Sequence, residues 1–174
     1  DMEIKIASYA NPLTELPGNI IIGVWLEEII SRKRFTVIYC DLNHFKEYND
    51  NYGFARGDDM LKFTAKILQE HFKPIGNDIH LGHIGGDDFI IITDQRIPDY
   101  LLENVCKNFD KGKLDFFTSE HITEGFHIAI DRQGEKVKTP LVSLSLAVVT
   151  EKNFEILPHP GRLSEIAAHL KKKI

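Results

Sequence analysis

The chain has 174 residues, 43% of them hydrophobic, enough to bury one core without a metal or disulfide staple. Its net charge of -5, with 27% charged residues, gives no basic field for nucleic acid or for an anionic membrane surface. Cys40 and Cys106 are far apart, with no CxxC pair, so there is no zinc or disulfide framework and a reducing, cytoplasmic compartment is expected.

DMEIKIASYA at the start lacks a signal-peptide pattern,. NPLTELPGN then forms a turn-rich entry to IIIGVWLEEIISRK, where Ile22, Leu26, Ile29 and Ile30 recur at helical spacing,. That apolar run is too short and too charged to span a bilayer. RFTVIYCDL, unbroken in its apolar character, predicts a central strand ending at Asp41,. NHFKEYNDNYGFARGDDMLKFTAKILQEHF predicts a short helix, a loop from Gly53 to Gly57, and a longer helix burying Leu61, Thr64, Ala65, Leu68 and Phe72,.

DIHLGHI and FIIITD predict two strands flanking Gly85 to Asp88, and PDYLLENVCKNFDK a helix with Pro98 at its start,. Residues 112–140 are polar and least patterned, with a hairpin expected around DRQGE, and they are read as an insertion. LVSLSLAVVT predicts a last strand, and RLSEIAAHLKKK an amphipathic closing helix with a basic end,. This order predicts an α/β fold: an α+β sandwich with a ferredoxin-like, palm-type mixed sheet covered by helices. Residues 1–174 are expected to form a single domain. Its opening at Asp1 and its close within AAHLKKKI suggest a piece of a longer multidomain protein that could carry regulatory or membrane segments,.

Such a fold can bring Asp41 beside the Gly85 to Asp88 turn, so that Asp41, Asp87 and Asp88 converge. Like charges this close raise one another's pKa unless a cation sits among them. Hard oxygen ligands without cysteine favour Mg²⁺ or Mn²⁺, with water and phosphate oxygens completing the shell. Taken alone, an Asp in a Gly-Gly turn is ordinary turn chemistry. The segment DLNHFKEYNDNYGFARGD adds Lys46, Asn49, Gly57 and Asp58, a cation, an amide, a close-approach glycine and a further acid around one loop.

DLNHFKEYNDNYGFARGDD, GHIGGDDF and NPLTELPGN together resemble the GGDEF domain of diguanylate cyclases. Three motifs in order at compatible spacing carry the resemblance over nearly the whole chain. It implies that Asp41, Asp87 and the Leu42 carbonyl hold Mg²⁺ or Mn²⁺ and that Asp87, Asp88 and Asp41 are the catalytic acids. Asn49 and Asp58 would read guanine, Lys46 and Lys171 would hold the terminal phosphates, and Gly85 and Gly86 would form the turn beneath the α-phosphate. The implied reaction condenses two GTP into cyclic di-GMP across a homodimer, with no nucleic acid and no membrane contact by this segment. The alternative is a weak or inactive domain that binds GTP and regulates an attached output domain.

Departures from the family pattern are specific. The turn is GGDDF, with Asp88 where Glu is usual, which shortens the acid's reach by about 1.5 Å. Phe54 stands for His, Asn43 for the second Asp and Asn11 for the leading Asp of the entry turn, and all three read as structural changes. His83 replaces a frequent Arg, and FKPIGNDIHLGHI, the stretch just before the turn, has Asp78 but no Arg upstream of it to form the family's R-x-x-D inhibitory pair. His44, His80 and His83 are read as turn or surface histidines and not as metal ligands.

Overall fold

A computed structural model describes residues 2–154 of the chain. In chain order, α1 is Met2–Ser8, α2 Asn19–Ile30, β1 Thr36–Asn43, α3 Phe45–Tyr52, α4 Phe54–Phe72, β2 His80–Gly85, β3 Asp88–Thr93, α5 Asp99–Gly112, α6 Ser119–Glu124, β4 Phe126–Ile130, β5 Lys136–Pro140 and β6 Ser143–Thr150. The closing helix expected at RLSEIAAHLKKK, and Lys171 with it, lies outside the described residues.

The main sheet has the order β2-β3-β1-β6. This is the ferredoxin-like arrangement that the element order predicted. A mixed sheet was expected, but every pairing among the described residues is antiparallel. The reason is topological: the β2–β3 hairpin inserts β3 beside β1, so the parallel pair β1 and β2 never touch,. Both faces are covered, so the strands are apolar on both sides. Ile38, Cys40, Leu42, Phe89 and Ile91 pack with Met60, Leu68 and Phe109 of α4 and α5. Val37, Tyr39, Ile90 and Ile92 pack with Ile22, Leu26 and Ile29 of α2.

Two stretches differ from the reading by pattern. The loop expected from Gly53 to Gly57 is one residue long. Gly53, at φ 85° and ψ 160°, ends α3 and starts α4 by itself, a conformation that only glycine adopts without strain. Gly57 therefore lies inside α4. Residues 112–140 are built, not loop-like: α6 is capped by the Thr118 side chain, and β4 and β5 form the expected hairpin as a separate two-stranded sheet. Short elements of mixed polarity carry little periodicity, which is why they read as loop.

Among the described residues, no helix is long and apolar enough to cross a membrane.

Candidate active site

The acid corner is assembled by strand register. Cys40 pairs with Phe89, and Gly85 with Asp88, so the tip of the β2–β3 hairpin, Gly86 and Asp87, lies beside the end of β1. There the Leu42 N–H donates to Asp87 Oδ2 at 3.3 Å. Burial pushes the Asp87 carboxyl above its ordinary value of 3.8. Asp88 and Asp41 push it further, while its own N–H and that of Leu42 pull it back. Asp41 Oδ1 is buried. The structure thus brings Asp41, Leu42, Asp87 and Asp88 together.

This donor set suits a cation that keeps few protein ligands. Among the described residues, no three His, Cys, Asp or Glu side chains are grouped closely enough to cage a metal. Mg²⁺ ordinarily takes one or two carboxylates and completes its octahedron with water and phosphate oxygens. Asp41 and Asp87 could supply those carboxylates. A cation between them would offset the burial and like charges that raise the Asp87 pKa,.

The turn explains its glycines differently from the sequence. Gly85 has φ 151° and Gly86 φ 52°, and a Cβ on either would meet no atom within 4 Å. Backbone conformation, and not crowding by the protein, demands glycine here. The space above remains open to a ligand.

Asn49 lies in α3, and its amide rests directly on Gly57 of α4: a Cβ at Gly57 would fall 1.8 Å from Asn49 Oδ1. That oxygen is buried and accepts no hydrogen bond among the described residues. A buried acceptor left open is costly unless a ligand supplies the donor. Asp58 follows Gly57 and is exposed, as is Lys46 near the start of α3. His44 precedes α3 at φ 63° and ψ 23°, and no side chain caps the helix. A non-glycine residue in this region is uncommon and concentrates at functional sites, and it leaves the first amides of α3 open to an anion.

The departures from the family pattern find reasons. Asn43 Nδ2 donates to Ser143 Oγ at 3.0 Å, a bracing role. Asn11 Oδ1 accepts from the N–H groups of Leu13 at 2.9 Å and Thr14 at 3.2 Å, a role Asp performs equally. Phe54 is not a packing residue: it is 78% exposed, one helical turn from Asp58.

His83 escaped the reading by sequence. It is only 2% exposed, its Nε2 is 2.8 Å from the Gly86 carbonyl oxygen, and its Nδ1 is 2.8 Å from Thr14 Oγ1. Burial lowers its pKa, with the Gly86 carbonyl and Asp88 opposing. The available signal was its place two residues before the turn on an edge strand. A recess of about 590 Å³ is lined by Arg32, Arg34, Asp94 and Arg96, at the opposite end of β1 and β3 from Asp41 and Asp87, and another of about 560 Å³ by Asn43, Cys106, Leu144 and Ser145, at the Asp41 end of β1.

Comparison with known proteins points to one family. The family model described as diguanylate cyclase, GGDEF domain, matches residues 8–143. The chain is 31% identical over 100 residues to the bifunctional diguanylate cyclase/cyclic di-GMP phosphodiesterase MucR of Pseudomonas aeruginosa, covering 55% of this chain and 14% of MucR. It is 32% identical over 95 residues to a diguanylate cyclase of Vibrio cholerae, covering 52% of this chain and 28% of that protein. The chain therefore spans well under a third of either relative. Among solved structures, the coiled coil and GGDEF domain of DgcB from Caulobacter crescentus, in complex with c-di-GMP, superposes with a TM-score of 0.70 at 14% identity, covering 98% of this chain and 82% of that one. The diguanylate cyclase SiaD of Pseudomonas aeruginosa, in complex with its activator SiaC, gives 0.68 at 21% identity, covering 99% and 60%. At these identities the two structures speak for the fold.

Proposed function

The chain belongs to the GGDEF family of diguanylate cyclase domains, and from that premise we propose that it binds GTP with Mg²⁺ or Mn²⁺ at the Asp41–Asp87 corner and, as a pair of domains, joins two GTP into cyclic di-GMP. The observation that carries this reading is the register that sets the Asp87 carboxylate on the Leu42 amide beside Asp41. Asp41, Asp87 and the Leu42 carbonyl would hold a divalent cation there, which would lower the pKa of an attacking hydroxyl and offset charge on the α-phosphate.

The chain's own groups do the rest. Asn49 Oδ1, buried and without a donor, accepts from the guanine edge, and the Asp58 carboxylate takes two further base N–H groups, a pattern that adenine does not offer. Lys46 and the first amides of α3 hold the terminal phosphates, and Lys171 is proposed to join them. Gly85 and Gly86 floor the α-phosphate. Each 3′-hydroxyl attacks the α-phosphate of the other GTP and releases pyrophosphate, so two domains must face one another. Segments beyond this chain would bring them together, and residues 112–140 are an elaboration of the single domain.

Calorimetry with a non-hydrolysable GTP analogue and Mg²⁺, followed by incubation of the dimerised protein with GTP, tests the reading. Saturable, metal-dependent binding and cyclic di-GMP formation are expected. Absence of binding sinks it. A second reading, binding without turnover, is favoured by Asp88: it pairs with Gly85 as the first residue of β3, one methylene short of the family's Glu. Binding with no product, and product recovered by Asp88→Glu, would establish that second reading.

A further inference from the structure

The GGDDF turn is held from behind by a residue that is neither acid nor glycine. We infer that His83 is the positioning residue of the acid corner: its neutral imidazole bridges Thr14 to the Gly86 carbonyl and so fixes the peptide that aims the Asp87 carboxylate. The inference rests on the proposed function for its consequence, though not for its geometry.

A carbonyl oxygen only accepts, so Nε2 carries the proton and donates to Gly86 at 2.8 Å,. In the neutral ring Nδ1 is then an acceptor, and the Thr14 hydroxyl donates to it at 2.8 Å,. One tautomer satisfies both contacts, and the ring is locked by stacking on Phe89 with centroids 4.3 Å apart. The strand behind it is also fixed, because the His83 N–H donates to the Pro17 carbonyl at 2.9 Å. Thr14 is held in turn by the Asn11 side chain, which accepts its N–H at 3.2 Å.

The bridge acts on one peptide plane. The Gly86 carbonyl and the Asp87 N–H belong to the same trans peptide and point in opposite directions. His83 holds the carbonyl end, and the N–H end supports the Asp87 carboxylate. Gly86, with no side chain and φ 52°, offers little resistance to rotation of that peptide by itself. A buried phenylalanine would fill the same volume beside Phe89 and leave the plane unheld. That difference separates positioning from filling.

The test uses His83→Leu, His83→Gln and Thr14→Val in the full 174-residue chain. Gln keeps a donor for Gly86 and an acceptor for Thr14. In the parent protein, ¹⁵N spectra of the His83 ring should show a protonated Nε2 and a bare Nδ1. Thr14→Val should mix the tautomers without unfolding the chain. In His83→Leu the Leu42 amide, which donates to Asp87, should exchange at least about tenfold faster, and metal-dependent affinity for the GTP analogue should fall about 10- to 100-fold, as for other groups that orient a ligand from behind. His83→Gln should restore both. Unchanged Leu42 exchange in a folded His83→Leu, or a single unmixed tautomer in Thr14→Val, overturns the inference. If the parent binds no nucleotide, the proposed function fails, and Leu42 exchange still decides the role of His83.

Discussion

Among the described residues, two hairpins carry an Asp and a Gly at the tip, and they use the acid in different ways. In β4–β5, Asp131 turns inward on its own loop: its Oδ1 accepts from the N–H groups of Gln133 and Glu135, both at 2.9 Å. In β2–β3, Asp87 accepts from Leu42, 45 residues away, and the tip is held by an imidazole from its own strand. The first acid completes a turn. The second is placed by the rest of the protein beside other carboxylates. A turn acid that satisfies its own loop is structural, whereas one raised in pKa by burial and by like charges stands where a cation would relieve it.

The surroundings follow the same division. The β2–β3 strands lie in the central sheet with Phe89 and Ile90 to Ile92 fully buried. The β4–β5 pair stands apart, with Ile128 and Ile130 exposed. It is tied back to α3 by polar latches: Asn51 Nδ2 donates to the Ile128 carbonyl at 2.7 Å and also meets His127 Nδ1. The Tyr52 hydroxyl meets His121 Nδ1 and accepts from the Thr118 N–H.

The contrast is sharpest at Asp87. Asp87→Asn should lower metal-dependent GTP affinity by about 100-fold or more, roughly 2.7 kcal/mol, measured by calorimetry, whereas Asp131→Ala should leave it unchanged. The same variant carries a pH signature. Because the folded pKa of Asp87 is raised above 3.8, its contribution to stability is present below that value and is lost as pH rises through the raised pKa. In the metal-free protein the melting temperature of Asp87→Asn should therefore gain on the parent from about pH 4, the ordinary carboxylate range, toward neutrality, and Mg²⁺ should reverse the gain. A difference independent of pH would break the comparison.

Next in size is Gly82 on β2, where a Cβ would lie 2.6 Å from Ile22 Cδ1 and Cγ1 and 3.2 Å from the Pro17 carbonyl oxygen. Gly82→Ala should cost about 1–3 kcal/mol in denaturant unfolding, because the hairpin carrying the site cannot move away from α2. Gly57→Ala should do the reverse. Its Cβ meets only the end of the Asn49 side chain, so the fold survives, helped by up to about 1 kcal/mol of helix propensity. Guanine affinity should drop about tenfold as the amide is displaced. Binding retained in a stabilised Gly57→Ala would remove Asn49 from the base site. The smallest effect is expected at Asp131→Ala, about 1 kcal/mol of stability from the lost turn hydrogen bonds, read as a shift in melting temperature with no change in nucleotide binding.

Much of the acid corner was legible in the chain. Asp41 at the end of an apolar strand and the Gly-Gly-Asp-Asp tip between two β-branched runs are local patterns, and a hairpin beside β1 was enough to bring them together. Asn49 and Asp58 were legible as a spaced pair. Gly57 was placed in a loop because two helices joined by one residue leave no periodic gap, and Phe54 was read as structural although it faces solvent. His83 was read as a turn or surface histidine, since nothing near it names its partner: Thr14 is 69 residues away in sequence. The latches from α3 to residues 116–128 escaped for the same reason.

By itself the sequence determined the order of the elements, the apolar strands and helix faces that call for a sheet covered on both faces, and the residue types of the site, because these depend on neighbours a few positions apart. Only the tertiary structure decided which acid is raised in pKa, that a side chain at Gly57 would displace the Asn49 amide, and what holds the Gly86–Asp87 peptide. Those are properties of buried contacts between distant segments, where register and desolvation, and not local propensity, set the energy.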